Sequence, residues 1–131
     1  MPFHVIQPPA DESKLATAGQ EIFLAAQKLG LNLDVEGFLH AWLTGLRVLV
    51  ERKDGEIVGL CLMALGKRWT SQDFTASVLE LRGDDHDGLL EFAKQIAAAM
   101  GADSLFHQTT EPFPREVDRK IIHTVTQYLL Q

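Results

Sequence analysis

The sequence predicts a mixed α/β domain, a central sheet flanked by helices, in one unit over residues 1–131. Three observations predict it. Apolar residues recur at helical three- and four-residue steps in some segments and form short β-type runs in others. A Lys53-Asp54-Gly55 turn separates two apolar runs, which signals a hairpin. Further on, a strand, a long helix and another strand follow in succession, the pattern of a right-handed crossover between parallel strands.

Each element has its own justification. Phe3 to Gln7 is short and β-prone, and Pro8-Pro9 stops it because proline cannot donate a ladder hydrogen bond. Asp11 or Ser13 can cap the helix that follows. Leu15, Ala18, Ile22, Ala25, Ala26 and Leu29 make its apolar stripe, and Gly30 ends it. Asp34 caps a second helix with Phe38, Leu39, Trp42, Leu43 and Leu46 on one side. Arg47 to Arg52 and Glu56 to Leu65 are the hairpin strands. The second of these is almost continuously apolar, which predicts a central strand covered on both faces.

Lys67 to Asp73 reads as a polar connection and Phe74 to Leu81 as a strand, with Ala76, Val78 and Phe74 on one face. Asp84 to Gly88 is a loop running into a long helix whose apolar side carries Leu89, Leu90, Phe92, Ala93, Ile96, Ala97 and Met100. Gly101 closes that helix, and Ser104 to Gln108 is a strand. After Pro112 and Pro114, Val117, Ile121, Val125, Tyr128 and Leu129 are spaced as on a last helix, Glu116–Leu130. The expected order is therefore β-α-α-β-β-β-α-β-α.

Composition narrows the function. A hydrophobic share of 46% and a charged share of 23% belong to a folded chain that can bury a core. The net charge of −6 lacks the basic stripe that displaces counterions from nucleic acid, and it does not favour anionic membranes. No apolar run reaches the roughly 18–20 residues of a membrane span, and Met1 to Gln7 does not resemble a signal peptide. The expected location is cytoplasmic. The single cysteine, Cys61, lies in an apolar run and reads as a small buried hydrophobe rather than a nucleophile.

The residues Val48 to Gly59, with their Asp54-Gly55 turn and Val58-Gly59 ending, resemble the second and third strands of the GNAT (acyl-CoA N-acyltransferase) superfamily. Gly88-Leu89-Leu90-Glu91-Phe92-Ala93-Lys94 followed by Met100-Gly101-Ala102-Asp103-Ser104-Leu105 is similar to that family's main helix and next strand. The resemblance spans roughly residues 3–110 and implies a pyrophosphate loop of the form Q/R-x-x-G-x-G/A before the main helix. Glycines there let backbone N–H groups approach the cofactor, and the helix amino terminus adds positive dipole. The matching stretch is Arg82-Gly83-Asp84-Asp85-His86-Asp87. Arg82, Gly83 and Gly88 are the cofactor-binding candidates that the resemblance implies. Asp85 and Asp87, however, occupy the two glycine positions, and Leu89-Leu90 arrives one residue early.

Three carboxylates in this loop would oppose a pyrophosphate by on the order of 1–4 kcal/mol per close contact. As helix-capping groups the same acids are readily explained. The family's general-acid tyrosine has no match, because the only tyrosine, Tyr128, lies outside its motif. Glu80 is the candidate catalytic base. The family's closing two-strand hairpin is expected to be missing, replaced by the helix Glu116–Leu130.

No metal site is expected. Counting a calcium loop from Asp84 puts the glycine fifth instead of sixth, and Gln95 twelfth where a glutamate belongs. His4, His40, His107 and His123 show no ligand spacing. Trp69, Arg68 and Phe113 are the interface candidates, being aromatic or arginine residues near polar connections. Trp42 belongs to the core.

Three functions follow. The first is a non-catalytic GNAT-like domain that takes no cofactor and works through protein partners or self-association. Its size and weakened loop resemble small GNAT-like virion proteins of short-tailed bacteriophages, which would place it in host cytoplasm or virion. The second is an acetyl-CoA-dependent N-acyltransferase with an atypical loop and Glu80 as base. The third is an acidic regulatory or host-interaction protein that competes for a basic partner.

Overall fold

A computed structural model of the chain describes residues 2–67, 74–112 and 121–130. Its strands are β1 (Phe3–Ile6), β2 (Arg47–Lys53), β3 (Glu56–Lys67), β4 (Phe74–Gly83), β5 (Ser104–Pro112) and β6 (Ile121–Leu129). Its helices are α1 (Leu15–Lys28), α2 (Val35–Leu43) and α3 (His86–Ala99). The strands form one sheet in chain order, β1-β2-β3-β4-β5-β6. All neighbours are antiparallel except β4 and β5, which the α3 crossover makes parallel. The expected mixed sheet flanked by helices is what forms.

Local chemistry sets the helix boundaries. Asp11 accepts a hydrogen bond from Ser13 N at 3.0 Å and caps a short 3-10 turn, Glu12–Lys14, that leads into α1. Asp34 accepts from Gly37 N at 3.0 Å and starts α2. The hairpin between β2 and β3 turns through Asp54 (φ 53°) and Gly55 (φ 81°), both left-handed, as a two-residue primed turn requires.

The pleat divides the apolar residues of the sheet between two cores. Val48, Val50, Leu60 and Leu62 pack under α1 and α2 with Leu15, Ile22, Ala26, Phe38 and Trp42. Leu49, Cys61, Met63, Ala76, Val78 and Leu105 pack under α3 with Leu89, Ala93 and Ala97, and Phe74 borders this cluster. The apolar run in β3 is thus buried on both faces, as a covered central strand must be. Trp42 is 1% exposed, and its indole Nε1 donates to the Ile6 carbonyl at 3.2 Å, tying α2 to β1.

The last element departs from expectation. Ile121–Leu129 is a strand paired antiparallel along the whole of β5, from Ser104↔Leu129 to Pro112↔Ile121, and not part of a helix over 116–130. Positions 117, 121, 125 and 128 fit a helical stripe, but Ile121, Ile122, Thr124, Val125 and Thr126 are β-branched and favour a strand. The open edge of β5 supplies the ladder they need, a long-range partner that periodicity does not contain. A strand therefore stands where the sequence placed a helix at the missing closing hairpin. Strands β3, β4 and β5 also run two to four residues beyond their expected ends.

Candidate functional site

The site is built where β4 and β5 part. Their parallel pairing covers only Thr75↔Ser104 to Val78↔His107. Beyond it β4 continues to Gly83 with β3 as its partner, while β5 continues to Pro112 beside β6. A register shift sits at the parting point. Leu62 pairs with Glu80 and Met63 with Val78, so Leu79 is an extra residue in β4 and a β-bulge. Leu79 is 54% exposed, unusual for a leucine in an inner strand. The bulge bends β4 away from β5 and leaves the edge of Leu79–Gly83 without a ladder partner on the β5 side among the described residues. A strand edge of that kind can hydrogen-bond an extended ligand.

Glu80 and Arg82 lie on this freed stretch. Register places both on the α1/α2 face, opposite Leu62 and Leu60. Arg82 Nη2 is 3.2 Å from Glu80 Oε2, and both side chains are partly exposed. The buried Nε of Arg82 has no partner among the described residues. The structure therefore brings together two sequence-selected residues, the candidate base and the candidate cofactor arginine, as an ion pair.

Gly83 is needed for packing. Its φ is 121°, and a Cβ there would lie 2.8 Å from Gly59 Cα and 2.9 Å from the Val58 carbonyl oxygen. Strand β4 passes this close to β3 only because both residues are glycine. Gly88 stands in the first turn of α3, where Asp85 accepts its N–H at 2.9 Å. This cap, expected for the loop acids, uses an N–H that an anion would otherwise take.

The surroundings of the loop decide the fit of a pyrophosphate. A cavity of about 510 Å³ beside the α3 amino terminus is lined by Glu51, Lys53, Val58, Asp84 and Asp85. Three carboxylates and one lysine make it acidic. With Asp85 on the helix terminus and Asp84 and Glu51 beside it, the loop does not fit a pyrophosphate.

Two residues of the site stood out only in three dimensions. His107 ends the β4–β5 ladder. Burial, and secondly the charge of nearby His86, hold its imidazole below the usual histidine range, so it favours the neutral form. Glu51 is 5% exposed on the α3 face. Its signal in the sequence was a charge two residues after the core residue Leu49. Cys61 is buried, and burial pushes its thiol up to about 12, so it is no nucleophile. Trp69, Arg68 and Phe113, the interface candidates, lie outside the described residues. Among the described residues, no group of three His, Cys, Asp or Glu side chains could hold a metal ion, and no helix is long and apolar enough to cross a membrane.

No family model and no curated protein matches the sequence. Solved structures do match the fold. An aminoglycoside acetyltransferase from an uncultured soil metagenomic sample, in complex with sisomicin, superposes with TM-score 0.61 at 18% identity, over 88% of this chain and 78% of that one. A GNAT family acetyltransferase from Staphylococcus aureus gives 0.60 at 11% identity, over 88% and 99%. A putative acetyltransferase from Salmonella typhimurium with its cofactor acetyl-CoA gives 0.57 at 14% identity, over 100% and 95%. Together with the bulged β4, the parting of β4 from β5 and the α3 crossover, these likenesses show that the chain has the GNAT acetyltransferase fold.

Proposed function

We propose that the chain is an N-acyltransferase that takes an acyl thioester in the opening between β4 and β5 and passes the acyl group to an amine. The observation that carries this reading is the parting of the two strands at the Leu79 bulge, which frees the edge of β4 for an extended thioester arm. Glu80, on that edge, takes the proton of the acceptor amine directly or through water. The likeness to catalytic acetyltransferases supports the same reading. The acidic loop makes the nucleotide end of an acyl-CoA donor a burden instead of an anchor. The test is thiol release from acetyl-CoA and from S-acetyl-pantetheine, which lacks the pyrophosphate, in the presence of a panel of primary amines. Amine-dependent release from both is expected, with the pantetheine donor at least equal at low salt. Glu80→Gln should lower the rate by about 10²–10⁴-fold.

A second reading is favoured by one observation, the carboxylates of Asp84, Asp85 and Glu51 where an anion-binding loop would lie. In that reading the fold is kept without catalysis and the domain acts through protein contacts, as in virion-associated proteins of short-tailed bacteriophages. No thiol release from either donor by folded protein would reject the acyltransferase. A defined oligomer, or co-purification with large structural proteins, would then support the second reading.

A further inference from the structure

We infer that the cavity beside the α3 amino terminus is a binding site for an organic cation, an ammonium or guanidinium group, held by Glu51, Asp84 and Asp85. The inference is independent of acyl transfer and holds for either reading above.

Glu51 carries the argument. It is 95% buried by its 5% relative exposure, yet it forms no hydrogen bond or ion pair among the described residues, and it lines the cavity. Its side chain is almost wholly covered and its carboxylate opens to the cavity, so a cation entering there would give it a charged hydrogen-bond partner that the described residues do not supply. The fold makes room for this side chain. Gly59, paired with Glu51 across the β2–β3 ladder, has no Cβ, and one placed there would meet Glu51 Oε1 at 3.3 Å and Leu89 Cδ1 at 2.9 Å. The carboxylate thus occupies the space that a side chain at position 59 would take.

The other walls agree in sign. Asp84 and Asp85 face the same cavity, and Asp85 turns one oxygen to the Gly88 N–H. Lys53, the single basic lining residue, forms no ion pair with the three acids among the described residues. Three carboxylates against one ammonium leave two negative charges uncompensated by side chains. The acids do not converge closely enough for a metal ion. A volume of about 510 Å³ suits an alkylammonium or an arginine-like group with its stem against Val58.

The experiment is an amide-shift titration of the full chain with methylguanidinium and with n-butylammonium at low salt, beside a short arginine-containing peptide. Saturable shifts centred on Val58, Gly59 and Asp84 are expected. Glu51→Gln, which keeps the shape, should weaken binding at least about tenfold, whereas Asp103→Asn should not. Equal affinity for free cation and peptide would identify a small-molecule ligand. Much tighter binding of the peptide would identify the side chain of a protein partner. Absence of saturable shifts at these residues in the unaltered protein, or binding indifferent to a folded Glu51→Gln variant, would overturn the inference.

Discussion

Replacing Gly83 by alanine tests whether this residue serves the junction of β3 and β4 or a ligand. Two costs are legible in the structure. The backbone at φ 121° lies where L side chains are strained, which contributes about 1–3 kcal/mol. The new Cβ would stand 2.8 Å from Gly59 Cα and 2.9 Å from the Val58 carbonyl oxygen. These are backbone atoms that cannot rotate away, so overpacking adds about 1–3 kcal/mol. Gly101→Ala is the matched control, because Gly101 also has positive φ, 89°, but nothing lies within 4 Å of its missing Cβ. It should lose only the conformational part, about 1–2 kcal/mol. At roughly 3–5 °C per kcal/mol for a chain this size, the packing contribution separates the two variants by about 3–15 °C in Tm. Thermal unfolding followed by circular dichroism reads the difference. Equal Tm losses would refute the close approach of β3 and β4.

Three further outcomes are expected. Asp85→Ala should cost about 1 kcal/mol by removing the α3 cap, measured by urea unfolding, and Asp85→Asn should recover most of it. Cys61 should resist alkylation at pH 8 in the native protein and react only on unfolding, because burial holds its thiol at about 12; rapid native labelling would contradict its packing on β3 beneath α3. His107 is held below the ordinary 6.5, first by burial and then by His86. Its contribution to stability is present above that value and is lost as pH falls through its lower folded value; His107→Gln should flatten this slope in denaturation measured below pH 6.5.

The reach of the sequence can be followed residue by residue. Asp34 announced one helix start and the acids of the Asp84–Asp87 loop another, of which Asp85 makes the cap, and Asp54-Gly55 announced the hairpin, because caps and primed turns are decided by a few neighbouring residues. The apolar run of β3 announced its own central place. The acidic character of the Arg82–Asp87 loop was likewise plain from the residue types alone. The Glu80–Arg82 ion pair needed only the strand assignment, since residues two apart share a face.

Tertiary structure decided the rest. Whether Ile121–Leu129 is helix or strand depended on the free edge of β5, a partner distant in sequence. The Leu79 bulge depended on register between β3 and β4, which no local pattern encodes. The opening between β4 and β5 follows from that bulge, the buried Glu51 beside Gly59 from the pairing of β2 with β3, and the nearness of His86 to His107 from the docking of α3 against the sheet. The sequence by itself determined the kinds of element and the charge of the loop, because these follow from propensity and composition over a few residues. The site came only with the fold, because it is assembled from β2, β3, β4, β5 and the amino terminus of α3, whose mutual placement is set by long-range pairing.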